Sequence, residues 1–139
     1  MQPGTVIRWD NLTAPHFGGK LKPRWLVCLG CTDFFSDPLL YYFHSTTTKD
    51  RAGEPRLELP RTRYPYFGED CFIYFNEKPY CCEKTNLNSA DIVKKGKLDP
   101  EVLRRLYEGI RSSRHYSKMQ LIDIHSSLNM AGLTGLKKP

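Results

Sequence analysis

The chain reads as an α+β domain: a small, closed or half-closed antiparallel sheet with C-terminal helices packed on it. Three observations predict this. Short runs rich in β-branched and aromatic residues recur from the N-terminus to about residue 84, separated by Gly, Pro, Asp and Ser. Beyond residue 99 the apolar period changes to that of a helix. Strands first and helices last is the order of an α+β domain. At 139 residues the chain has the size of one domain. We place the sheet at about 4–92 and the helices at about 99–130.

Thr5-Val6-Ile7-Arg8-Trp9 is the first strand, behind Gly4. Residues 10–22 contain Pro15, Gly18 and Gly19 with His16, Lys20 and Lys22, the composition of a loop. Trp25-Leu26-Val27-Cys28-Leu29 and Leu39-Leu40-Tyr41-Tyr42-Phe43 are the next two strands, joined by a turn at Ser36-Asp37-Pro38. Leu57-Glu58-Leu59 alternates, and Pro60 and Pro65 then restrict pairing around Tyr64. Phe72-Ile73-Tyr74-Phe75 is a strong strand, with a turn at 76–79 and a returning strand at 80–84.

Asp99-Pro100-Glu101 is a helix start, with Asp as N-cap and Pro at the first helical position. Val102, Leu103, Leu106, Tyr107 and Ile110 follow on one face. Ser117 and Gln120 have the spacing of a capping box, and Leu121, Ile124, His125 and Leu128 form the stripe of a second helix. The tail at 131–139, with two glycines and a terminal Lys-Lys-Pro, is expected to fray.

The net charge is +6 and the pI about 9.1, which favours a polyanionic partner. No apolar run approaches the roughly 20 residues of a membrane helix, and the N-terminus lacks a signal-peptide core. A cytoplasmic protein is the expectation. Five cysteines, two of them vicinal (Cys81 and Cys82), suit free thiols better than a disulfide framework. Cys28 and Cys31 with that pair have zinc-like residue types. Adjacent strand residues point to opposite faces, however, so buried structural cysteine is the better reading and no metal or cofactor is expected.

The leading site candidate is the segment 22–48. If its two strands pair as a hairpin, Lys22 and Arg24 at the start of one lie beside Thr46, Thr47 and Thr48 at the end of the other. Metal-free RNA cleavage needs a base for the 2′-hydroxyl, a cation for the charged transition state and an acid for the leaving 5′-oxygen. A guanidinium fork matches phosphate oxygens, and hydroxyls add donors where charge develops. His44, in the same segment, is a candidate acid or base. Arg56, Arg61, Arg63, Tyr64, Tyr66 and Phe67 interleave cations with rings, the composition of a single-stranded nucleic-acid surface. Lys94-Lys95-Gly96-Lys97 reads as a solvated basic run that adds to the field.

Over roughly residues 4–110 these segments resemble the MazF/PemK family of toxin endoribonucleases. Gly4-Thr5-Val6-Ile7 looks like the family's opening Gly-Asp-Val/Ile strand. Lys22-Pro23-Arg24-Trp25-Leu26-Val27-Cys28-Leu29 is similar to its Arg-Pro followed by an apolar strand. His44-Ser45-Thr46-Thr47-Thr48 sits where the family's strand ends in Thr or Ser. Leu87-Asn88-Ser89-Ala90-Asp91-Ile92 and Lys95-Gly96-Lys97-Leu98 resemble its late strand and the turn into a helix.

The resemblance implies a small SH3-like barrel that cleaves single-stranded RNA to 2′,3′-cyclic phosphate and 5′-hydroxyl ends. It further implies a homodimer and an acidic antitoxin that covers the site. An Arg at the strand start would stabilise charge and move protons, and a Thr or Ser would hold the phosphate. RNA contacts would fall to His16, Lys20, Arg61, Arg63, Tyr64 and Ser89. The simplest alignment puts Lys22 where the family has Arg. Sliding by two residues keeps the face and gives the role to Arg24, which offers bidentate geometry. Among the threonines, alternation puts Thr46 and Thr48 on one face and Thr47 on the other. The chain beyond about Ser112 extends past the family's usual end. Two other functions fit the same fold: a non-enzymatic toxin that binds a protein target, as the related CcdB poisons do, and a non-catalytic RNA- or DNA-binding module.

Overall fold

Alternating apolar residues give the first strand two buried faces, and the sheet uses both. In a computed structural model that describes residues 1–10, 12, 23–32, 39–89 and 91–139, strand β1 (Thr5–Trp9) sends Val6 into one core and Ile7 into another. Strand β2 (Arg24–Cys31) pairs with it antiparallel, Val6 opposite Val27 and Ile7 opposite Leu26. Strand β3 (Leu40–Ser45) runs back along β2, with Leu26 opposite Ser45 and Val27 opposite His44. The hairpin-like pairing expected from the sequence is therefore present. Its turn at Ser36, Asp37 and Pro38 lies outside the described residues.

Strand β4 (Arg56–Leu59) pairs with β5 (Cys71–Tyr74) as a separate two-stranded sheet. Leu57 faces Ile73 and Leu59 faces Cys71, all four buried. Strand β6 (Tyr80–Glu83) does not return along β5, as its sequence suggested, but pairs with β3. The expected turn at 76–79 is instead a passage from one sheet to the other. Helix α1 (Lys84–Ser89) follows where the sequence suggested part of a late strand.

Strand β7 (Ile92–Lys97) then pairs with β1 at the sheet edge. The Lys94–Lys97 run, read as solvated and as a turn into the helix, is therefore strand. Lysines are the side chains that keep an exposed edge from recruiting further strands. Gly96 lacks a side chain where the Tyr66 ring occupies the space of a Cβ. The larger sheet has the order β6-β3-β2-β1-β7, and mutual bonds between Thr47 and Phe72 tie it to the smaller one.

Helix α2 (Pro100–Arg111) packs against β4 of the smaller sheet and helix α3 (Lys118–Met130) against β2 of the larger one, both closing over the same core. Val102, Leu103, Leu106, Tyr107 and Ile110 are buried as their spacing predicts. Asp99 stands at the N-cap, yet its carboxylate binds Arg63 and Tyr64 rather than the helix amides. The capping box forms as read: Gln120 N–H donates to Ser117 Oγ at 3.1 Å, and Ser117 N–H to Gln120 Oε1 at 2.9 Å.

The tail does not fray. Leu133 is buried, Arg104 donates to the Thr134 carbonyl, and Tyr107 Oη donates to that of Lys137. Apolar anchoring and these side-chain donors outweigh the glycine-rich composition. The cysteines are free, four buried and Cys81 half-buried. Cys81 packs with one core and Cys82 with the other, as alternation requires. Burial pushes the Cys28 thiol up to about 12, so it stays protonated. Among the described residues no helix is long and apolar enough to cross a membrane.

Helix α3 meets β2 at one tight point. Ser127 Oγ donates to the Cys31 carbonyl at 3.1 Å and accepts from the Cys31 N–H at 3.0 Å. A Cβ on Gly30 would lie 2.5 Å from Ser127 Cβ. Gly30→Ala is expected to lower stability by about 1–3 kcal/mol, the usual range for overpacking. A urea titration reads this as a lower midpoint at unchanged slope. A wild-type midpoint would show that α3 can shift away freely.

Candidate active site

The antiparallel pairing of β2 with β3 places the start of one strand beside the end of the other. Thr46 donates its N–H to the Trp25 carbonyl at 3.0 Å, and its Oγ1 donates to the same carbonyl at 3.2 Å. The chain has left β3 at Ser45, so period-two alternation no longer governs which way the threonines face. Thr46 and Thr47 both line a cavity of about 370 Å³ next to Arg24, whereas Thr48 does not. Thr47 thus takes the place beside Thr46 that alternation assigned to Thr48. Its Oγ1 accepts from Lys49 N–H at 3.1 Å, which leaves its own proton to donate.

A second cavity, about 230 Å³, shares Arg24, Trp25, Thr46 and Thr47 with the first and adds Thr48, Phe67 and Glu69. Arg24 therefore stands on a wall common to both. Trp25 is half-buried there, its ring centroid 5.4 Å from that of Phe67, with Lys95 Nζ 5.6 Å from the Trp25 centroid.

The remaining walls of the larger cavity come from three loops. Arg51 arrives on the β3–β4 connection. Its N–H donates to Tyr74 Oη at 2.6 Å, and Tyr74 Oη donates to the Lys49 carbonyl at 2.8 Å. Glu77 and Lys78 arrive on the passage between sheets. Glu77 accepts from Arg51 at 2.8 Å and from Ser45 Oγ at 3.1 Å. His115 arrives on the α2–α3 loop. Three cationic side chains, Arg24, Arg51 and Lys78, thus share the cavity with one carboxylate. Such a site attracts an anion and holds it with charge-assisted donors.

His44 does not join them. Its ring is fully buried, stacked against Tyr116 with centroids 5.9 Å apart. Nε2–H donates to the Tyr74 carbonyl at 2.8 Å, and Nδ1 accepts from Tyr116 Oη. A neutral imidazole satisfies both bonds. Burial lowers its pKa from the ordinary 6.5, in keeping with that form. The acid–base role suggested for His44 is corrected to a structural one, because β3 turns this side chain into the core. It does hold the site together: Tyr116 follows His115, and Tyr74 carries the Arg51 loop.

The other expected RNA contacts are dispersed. Tyr64 is buried, with Oη donating to Asp99 at 2.9 Å, so its face is not open to stack on a base. Arg63 is paired with Asp99 at 2.6 Å. Both line a third cavity that shares no residue with the two at Arg24. Arg61 is exposed near Asp70, which accepts its backbone N–H. Lys22, His16 and Lys20 lie outside the described residues, and so does the Ser89 side chain.

Sequence reasoning missed Arg51, Glu77, Lys78 and His115 as cavity residues. No local pattern marks them. They converge only because β6 joins β3 while β5 joins β4, and because α3 folds back on β2. No protein-family model matches the chain, and no curated protein matches it.

Proposed function

We propose that the protein is an RNA-cleaving toxin of the MazF/PemK kind, with its sheets as a variant of the SH3-like barrel. One observation carries the reading: Arg24 stands beside Thr46 and Thr47 on the wall between two adjoining cavities, the larger of which is also cationic through Arg51 and Lys78. A phosphodiester seated at that wall leaves room for a nucleotide on either side.

The Arg24 guanidinium neutralises charge on the phosphorane-like transition state. Thr47 contributes a hydroxyl donor, and Thr46 fixes the backbone that presents it. The 2′-oxygen bonds to phosphorus as the bond to the 5′-oxygen breaks. The products are a 2′,3′-cyclic phosphate and a 5′-hydroxyl. The same cationic surface suits an acidic antitoxin. A homodimer and a cytoplasmic location, where five free thiols persist, complete the proposal.

The test is incubation of pure protein with single-stranded RNAs of varied sequence at low salt in EDTA, followed by end-group analysis. Cleavage with the stated ends is expected. Intact RNA bound with a steep salt dependence would instead favour a non-catalytic binding module.

A further inference from the structure

We infer that His115 and Glu77 form the acid–base pair of this site, with Glu77 as base and His115 as acid. This deepens the nuclease reading and rests on it.

Charge stabilisation by Arg24 does not by itself move the two protons that the reaction must move. Among the described residues, Glu77 is the one carboxylate and His115 the one imidazole that line the larger cavity. Glu77 is held by its side chain and His115 by its backbone. Glu77 is oriented by hydrogen bonds from Ser45 and Arg51, and its side chain keeps 27% of its exposure. His115 is itself exposed, but its neighbours are fixed. Its backbone N–H donates to Ser113 Oγ at 3.2 Å, Tyr116 is buried against His44, and the Ser117 cap follows. An exposed imidazole on a pinned loop, opening on a cationic cavity, is built to exchange protons with something bound there.

The step balances as follows. The Glu77 carboxylate takes the proton of the 2′-hydroxyl, and the freed oxygen pair forms the bond to phosphorus. The bond from phosphorus to the 5′-oxygen breaks, its electrons stay on that oxygen, and the His115 imidazolium protonates it. Glu77 is left protonated and His115 neutral, and exchange with water resets both. Arg24, Arg51 and Lys78 are the other charged groups facing this cavity.

The experiment compares two substrates: single-stranded RNA, and uridine 3′-(4-nitrophenyl phosphate), whose leaving group needs no proton. His115→Ala is expected to slow RNA cleavage by about 10²–10⁴-fold, the usual worth of a general acid, and the ester by far less. Glu77→Gln is expected to slow both and to flatten the acidic limb of the pH–rate profile. Equal losses on the two substrates, or none, after His115→Ala would overturn its assignment as acid while the nuclease reading stands. An acidic limb that survives Glu77→Gln would remove Glu77 as base. A wild-type protein that cleaves neither substrate would overturn both the pair and the nuclease reading.

Discussion

Arg24→Ala is expected to reduce kcat/KM on single-stranded RNA by about 10²–10³-fold, the usual cost of deleting one donor aimed at developing negative charge. The reason is position. Arg24 opens β2, where pairing with β3 brings it beside Thr46 and Thr47, and it faces both cavities. Arg24→Lys is expected to recover only part of the rate, since it keeps the charge and loses the planar fork. The side chain is half-buried at a strand end, so stability is expected to fall by about 1 kcal/mol, the centre of the usual range. Kinetics and a urea titration on the same preparations separate the two effects. A cleavage rate left at the wild-type value would remove Arg24 from the mechanism.

His44→Ala is expected to have the largest effect on folding, about 3–5 kcal/mol, because it leaves a cavity and strands two buried polar groups. Those groups are Tyr116 Oη and the Tyr74 carbonyl. The same residue predicts a pH dependence. Burial holds its folded-state pKa below 6.5, so at acidic pH the unfolded chain binds a proton that the native protein refuses. Unfolding is therefore favoured as pH falls. Stability is full above 6.5 and drops by up to about 1.4 kcal/mol per pH unit below it, until the folded-state pKa is reached. The Tyr116 hydroxyl and the Tyr74 carbonyl bond the ring, and that carbonyl and then the Glu77 carboxylate oppose the burial effect. Denaturation midpoints of wild type and His44→Gln across pH 5–7 check this. Parallel curves would show that His44 does not supply the slope.

The strands and helices with strong local patterns were legible in the sequence. Val6 and Ile7 alternate between cores, and Leu106 and Ile110 share one helix face. The capping box at Ser117 is wholly local chemistry, and it formed. What failed was non-local. Nothing in Lys94-Lys95-Gly96-Lys97 advertises a strand; its partner β1 and the ring of Tyr66 decide it. Nothing in the 72–84 run says that it divides between two sheets. The site was half legible for the same reason. Arg24 and Thr46 meet through a single hairpin-like pairing that sequence can suggest, whereas Glu77 and His115 arrive through contacts between distant segments. His44 was misjudged because the residues that follow it, Ser45, Thr46 and Thr47, line the cavity while its own side chain is buried in the core.

The α2–α3 loop is the last wall of the cavity in chain order. The segments bearing Arg24 and Thr46 leave the ribosome before residues 113–117, and His44 waits for Tyr116 to complete its hydrogen bonds. An unfinished chain thus holds a cavity open on one side, over an imidazole that lacks one of its two partners. For the nuclease proposed above, synthesis itself then acts as a safety catch: the site is complete only once residue 115 has followed Arg24 and Thr46.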